Sequence, residues 1–306
     1  MAESLCKRVQ AVIIIAQGTV SGFERYLSFS VVVHTRRNHL SEALLEEGWE
    51  LPVEAEILKL FLEAVPECWV EVSNLETTYT WITKHPLVLL QGSELSFPEL
   101  GLTVDLSFAS TVHLSRHPEH EAVSRLSLVS LDRTEQWSVS VGDLCGKALE
   151  QLAENVVRVV AVNDLPRGVE GKCRKLCSCC DERRKKFRAQ ASGHPLYHLL
   201  CFSCLQMDPL RVDMKRKMCS YTTSFVPGRH ELEGGRILLG SGAGMLSVDL
   251  PEVFHAVAKM AKVEEVRSTV LDTYNSFGER LLTLSQAGDS LFELWTTMAK
   301  RAEEDE

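Results

Sequence analysis

Two CxxC pairs carry the strongest chemical signal in this 306-residue sequence: Cys177 with Cys180, and Cys201 with Cys204, twenty residues further on. A CxxC step sets two thiolates on one side of a tight turn. Two such turns facing each other make the tetrahedral four-sulfur cage that Zn²⁺ favours. The spacing predicts a zinc ribbon over 173–204 holding one structural Zn²⁺ per chain, with Cys177, Cys180, Cys201 and Cys204 as ligands. Cys173, Cys179 and His198 stand near enough in sequence to replace one of the four. Four protein ligands leave no open position on the metal, which argues against catalytic zinc. A RING would need eight ligands, and the seven cysteines and two histidines between 173 and 219 are badly spaced for it.

The same stretch is basic. Between Lys172 and Lys217 there are twelve Lys or Arg against four Asp or Glu, a local +8, so the remainder of a chain of net charge −9 carries −17. One basic face on an acidic body is the pattern of a polyanion-binding surface; the bland alternative is that these charges only solubilise the metal hairpin. Arg183, Arg184, Lys185, Lys186 and Arg188, with Lys215, Arg216 and Lys217, are the candidate phosphate contacts. Single strands are bound by stacking bases on aromatic rings while cations follow the backbone. Phe187, surrounded by charge, is the candidate stacking ring, whereas Tyr197, Phe202 and Phe225 suit packing.

Other constellations are weaker. His113, His117 and His120 lie close together, but no cysteine or paired carboxylate accompanies them, and they read as structural. The glycines of 235–245 lack the Lys-Ser/Thr of a phosphate loop and read as a hairpin. No GxSxG, HExxH or kinase set occurs, and Cys145 has no neighbouring His to act as base. The chain therefore reads as non-enzymatic. Ten cysteines without a secretion signal point to a reducing compartment, nucleus or cytoplasm, and no apolar run is long enough for a membrane span.

The elements that must position these groups follow from periodicity. Strands are expected at 7–16, 26–34, 69–74, 78–83 and 87–91, with helices at 39–47 and 53–64. Alternation continues at 102–115 and 123–132, and a helix is expected at 142–156. In the second half, 156–164 reads as a strand, 210–226 as a long strand or hairpin, and 230–240 with 244–250 as a hairpin. Pro251 opens an expected helix over 251–260, 262–284 continues as helix or strand, and 291–302 is an amphipathic final helix. Leu291, Leu294, Trp295 and Met298 share one face of it. The expected organisation is an N-terminal β-rich domain at 1–141, a linking helix at 142–155, and a C-terminal domain at 156–302.

A strand, a four-cysteine ribbon, further strands and a closing helix, in that order, resemble the third DNA-binding OB fold of the replication protein A large subunit. The resemblance covers about 155–302, and with a further β-rich domain in front the layout is similar to the OB-fold subunit of shieldin or the largest CST subunit. The ribbon departs from the pattern in its length, its basic residues and its extra cysteines. The fold class implied is mostly β with helices (α+β), as tandem OB-like barrels, the second with an inserted zinc ribbon and a C-terminal helix. The function implied is a zinc-binding nuclear subunit that binds single-stranded DNA in a repair or telomere complex. Leu291, Leu294, Trp295 and Met298 would dock on a partner subunit. The alternatives are a zinc-ribbon interaction adaptor or viral regulatory protein, and an RNA-binding regulator using the same basic patch.

Overall fold

Alternating burial organises most of the chain. In Glu67–Asn74 (β2) the residues Cys68, Val70, Val72 and Asn74 turn inward, and in Thr77–Lys84 (β3) Thr77, Tyr79, Trp81 and Thr83 do the same. This is the two-residue period of a sheet with one covered face. The computed structural model describes residues 47–74, 77–116, 123–131, 135–141, 152, 154–161, 176–242 and 244–304. The strands expected at 7–16 and 26–34, and most of the helices expected at 39–47 and 142–156, lie outside the described residues.

The remaining strands of the first half are Glu47–Leu51 (β1), Leu89–Gln91 (β4), Glu94–Phe97 (β5), Leu102–Asp105 (β6), Ala109–Arg116 (β7), Ser124–Ser130 (β8) and Glu135–Val141 (β9). Arg158–Ala161 (β10) follows. The second half adds Leu210–Lys215 (β11), Cys219–Phe225 (β12), Arg229–Glu233 (β13), Arg236–Ser241 (β14), Gly244–Asp249 (β15), His255–Val263 (β16), Val266–Tyr274 (β17) and Arg280–Ala287 (β18). Four helices accompany them among the described residues: Ala55–Ala64 (α1), Ser178–Ala189 (α2), Pro195–Gln206 (α3) and Ser290–Glu304 (α4).

Two antiparallel sheets result. One runs β10-β1-β7-β8-β9-β2-β3-β15-β14-β13, the other β16-β17-β18-β11-β12-β6-β5-β4. Adding or subtracting nine converts β7-β8-β9-β2-β3-β15-β14-β13 into the second order strand by strand. The chain thus repeats one arrangement of strands, and each half lends a three-stranded meander to the other half's sheet. Both sheets are open, each ending on unpaired strands among the described residues. The expectation of tandem closed barrels is therefore corrected, while the mostly β, α+β class stands.

The meanders depend on close approaches. Gly101 sits in the left-handed region at φ +61, and an added Cβ would fall 1.9 Å from the carbonyl oxygen of Thr222. The Thr222 N–H donates to the Gly101 carbonyl at 2.9 Å, tying the loop before β6 to β12. Gly244 leaves room for the Tyr79 hydroxyl, which a Cβ would meet at 2.3 Å.

The helices pack as their periodicity dictates, with one exception. α1 buries Leu58, Phe61 and Leu62 and ends at Val65, which is extended before Pro66. α4 turns Leu291, Leu294, Trp295 and Met298 onto the core, against α3, β16 and β17. This corrects the expected docking helix: the face reserved for a partner is spent on the chain's own fold. The exception is 251–260. Pro251 lies in a single 3-10 turn, Leu250–Glu252, and the next residues form β16, paired with β17 along its whole length. Ala256, Ala258, Met260 and Ala261 favour helix, but the hairpin overrides that propensity.

Candidate functional site

The stretch between the cysteine pairs folds as two helices rather than a ribbon. Asp181, Glu182, Arg183, Arg184, Lys185 and Lys186 are good helix formers or suit a first turn, and Cys177 occupies the N-cap of α2. At α3, Pro195 takes the first helical position and His194 caps it: Nδ1 accepts the Leu196 N–H at 3.1 Å. That bond requires the proton on Nε2, which donates to the Val253 carbonyl at 3.0 Å. Burial pushes the His194 imidazole down to about 4.

The expected zinc ligands separate. The sulfurs of Cys177, Cys179 and Cys180 lie within 4.8 Å of one another on the first turn of α2, and neither Cys201 nor Cys204 joins them. Cys201 and Cys204 are an i, i+3 pair inside α3, with Cys204 in the core. Their spacing is a helical one, so the four-cysteine zinc cage and the ribbon are corrected. Cys173 lies outside the described residues. With Cys177 as the thiolate, the Cys179 thiol 2.9 Å away donates to it, and the Cys180 N–H and thiol add support. These bonds bring the Cys177 thiol down to about 7. Cys180 is pushed up to about 11, chiefly by donating to Cys177.

The basic residues of α2 are engaged within the molecule. Arg184 meets Glu252 at 3.6 Å, and Arg188 meets Glu252 at 3.4 Å and Asp249 at 3.8 Å. Lys185 pairs with Asp181 at 2.7 Å. Phe187 is half-buried, its ring edge-on to His194 at 4.6 Å, with Lys186 5.9 Å from its centroid. It is therefore a packing residue and not an exposed stacking ring. Arg216 donates to the buried Asn74 at 3.3 Å, while Lys215 and Lys217 are exposed at the β11–β12 turn. His113 is buried and bonded to Thr111 at 2.9 Å, as a structural histidine should be.

The sequence reading missed a cleft of about 530 Å³ beside this turn, lined by Cys180, Phe254, His255, Val257, Tyr274, Asn275, Ser276 and Gly278. The β16–β17 hairpin builds one wall. His255 and Tyr274 are cross-strand partners, with rings 6.2 Å apart. Asn275 fixes the adjoining turn: its side-chain Oδ1 accepts the Phe277 and Glu279 N–H groups at 3.0 Å, and its Nδ2 donates to the Glu279 carboxylate at 2.9 Å. The Arg183 guanidinium lies 5.5 Å from the Phe254 ring and 5.6 Å from Phe187, a cation held at the cleft by two aromatic faces. The arrangement offers an apolar wall, an imidazole, a thiol and a phenol, with an adjacent guanidinium. Alternating exposure over 255–260 is seen only in the folded strand; the run His-Ala-Val-Ala-Lys-Met has no polar/apolar alternation that could have announced it.

No protein-family model and no curated protein matches the chain. Solved structures do. The Pseudomonas aeruginosa protein PhuS, described as haem-binding, matches in its apo form at a TM-score of 0.60 and 12% identity, over 84% of this chain and 89% of that one. Its holo form matches at 0.60 and 11%, over 84% and 88%. ChuS of Escherichia coli O157:H7, described as a haem-degrading enzyme, matches at 0.58 and 13%, over 80% and 82%. What is shared is the fold. It replaces the OB fold inferred from replication protein A, shieldin and CST; the genome-maintenance role and single-stranded DNA partner drawn from that resemblance fall with it, and a nuclear location loses the support it drew from there. One of these neighbours is an enzyme by description. No helix among the described residues is long and apolar enough to cross a membrane.

Proposed function

We propose that this chain binds haem, or a closely related tetrapyrrole, in the cleft between the first turn of α2 and the β16–β17 hairpin. The observation that carries the reading is the joint lining of one 530 Å³ cleft by Phe254, Val257 and Tyr274 with His255 and Cys180. Small-molecule sites fall at about 300–1,000 Å³ and combine apolar walls with few polar groups. Imidazole, thiolate and phenolate are among the side-chain donors that hold haem iron. A tetrapyrrole also carries carboxylates, for which Arg183 is the adjacent cation. The donor set therefore fits the group, and the neighbours described as haem-binding share the fold.

In this reading His255 would hold the iron, Phe254 and Val257 would exclude water from the ring, and Arg183 would orient the carboxylates. The bound iron would supply redox chemistry. Asn275 keeps the wall rigid through its three turn bonds. The chain's two repeats are joined at 142–155, the first ending at 141 and the second beginning at 156.

Haemin titration of the purified full chain tests the reading. Saturation at one haem per chain is expected, with His255→Ala shifting the Soret band and weakening binding by about tenfold or more. Absorbance that rises without saturation, or an unchanged spectrum and affinity in both His255→Ala and Cys180→Ser, would sink it. Adding an electron donor under air to the loaded chain separates binding from turnover, since only turnover bleaches the Soret band.

A further inference from the structure

We propose that Cys177, Cys179 and Cys180 form a binding site for a soft monovalent metal ion, Cu(I), on the first turn of α2. Their three sulfurs lie within 4.8 Å of one another. A thiolate–metal distance of about 2.3 Å places the sulfurs of a trigonal site about 4.0 Å apart, inside that envelope. The Cys177 and Cys179 sulfurs, now 2.9 Å apart, need only separate by about 1 Å to admit the ion.

The donor set selects the metal. Thiolates are soft ligands and favour Cu(I). Structural Zn²⁺ takes four protein ligands, and among the described residues no fourth Cys, His, Asp or Glu joins this group. Asp181, the next residue, is engaged by Lys185 at 2.7 Å and by Arg184 at 3.3 Å. On binding, three thiols release three protons to solvent and three sulfur–copper bonds form, with no change in oxidation state. The product carries two negative charges, which the α2 N-terminus and the cations Arg183, Arg184 and Lys185 offset.

Cysteine stands at the N-cap of α2, a position that Ser, Thr, Asp or Asn ordinarily takes. Cys177 and Cys179 are exposed, so an ion reaches the group from solvent. The site does not depend on haem binding, although Cys180 also borders the cleft.

The test is an anaerobic titration of the reduced full chain with Cu(I) against bathocuproine disulfonate, followed by thiolate-to-copper absorption in the ultraviolet. One Cu(I) per chain is expected. Second-shell changes at metal sites already cost about 10–100-fold in affinity, so Cys179→Ser should cost at least about 100-fold. The triple variant Cys177→Ser, Cys179→Ser, Cys180→Ser should lose the site, and Cys201→Ser with Cys204→Ser should keep it. Serine suits an N-cap, and circular dichroism checks that the triple variant stays folded. Full uptake by the triple variant, loss of the site in the Cys201 and Cys204 variant, or a Zn²⁺ affinity equal to that for Cu(I) would each overturn the proposal.

Discussion

The indole of Trp81 stacks on the phenol of Tyr221, with ring centroids 5.1 Å apart and planes 12° from parallel. Trp81 belongs to β3 and Tyr221 to β12, strands that hold equivalent places in the two sheets. Tyr79 closes the group, 5.0 Å from Tyr221 and 5.6 Å from Phe225. One aromatic cluster therefore joins the two repeats where each begins to borrow strands from the other.

Truncating either stacked ring should be severe and not additive. Trp81→Ala and Tyr221→Ala are each expected to cost about 3–5 kcal/mol, as large aromatic deletions in cores do. The double variant should lose less than the sum, by about 0.5–1.5 kcal/mol for the ring–ring interaction. Urea melts of the four proteins measure this. Strict additivity would mean that the stack contributes only buried area.

The turn of the β16–β17 hairpin carries avoidable strain. Glu264 and Glu265 form its two-residue loop with φ +49 and +67, between paired Val263 and Val266. Two positive φ values mark the mirror-image turn that ordinarily takes Asn-Gly. Glu265→Gly removes the Cβ clash at its position and should raise stability by about 1 kcal/mol, read as a shift in denaturation midpoint. Glu264 is the poorer choice, because its carboxylate pairs with Arg211.

These elements show what the amino-acid pattern can disclose. The alternation in β2 and β3, the apolar stripe of α1 and the face of α4 follow from local spacing, and all three occur where expected. β16 was hidden because Ala, Met and Lys favour helix, and only its pairing with β17 decides otherwise. The single strand expected at 102–115 divides into β6 and β7, which serve different sheets. The exchange of meanders is a long-range pairing with no local signature. The zinc expectation failed for a plain geometric reason: CxxC spacing in a knuckle equals the i, i+3 spacing of a helix face, and Cys201 and Cys204 use the latter. The cleft was illegible because its lining comes from α2, β16, β17 and the Asn275 turn together.

The final helix is core. Leu291 is 7% exposed, and Leu294, Trp295 and Met298 pack beside it. Leu291→Ala should cost about 2–5 kcal/mol. Truncation near residue 288 should yield an aggregating chain, seen by size-exclusion chromatography. A monomeric, fully folded truncation product would return the apolar face to a partner.

His194 makes stability depend on pH. Its imidazole titrates at about 4 in the folded chain, against an ordinary value of 6.5, because burial disfavours the cation and because Nδ1 must stay unprotonated to accept the Leu196 N–H. Between these values the unfolded chain binds the proton that the folded chain refuses, so acid favours unfolding. The contribution is complete above about pH 6.5 and is lost progressively down to about pH 4, a change of about 3 kcal/mol at about 1.4 kcal/mol per pKa unit. Asp249 and Glu252 nearby are raised by burial and slope the opposite way, so the wild-type curve alone mixes the effects. His194→Asn separates them. Asparagine keeps an N-cap acceptor but cannot titrate, and it leaves the Val253 carbonyl without its donor. The variant should be less stable than the wild type at pH 7 by about 1–3 kcal/mol. Its deficit should shrink as the pH falls and approach zero near pH 4. Urea melts at half-unit intervals from pH 7.5 to 4 check this, and a deficit constant across that range would show that His194 does not govern the acid limb.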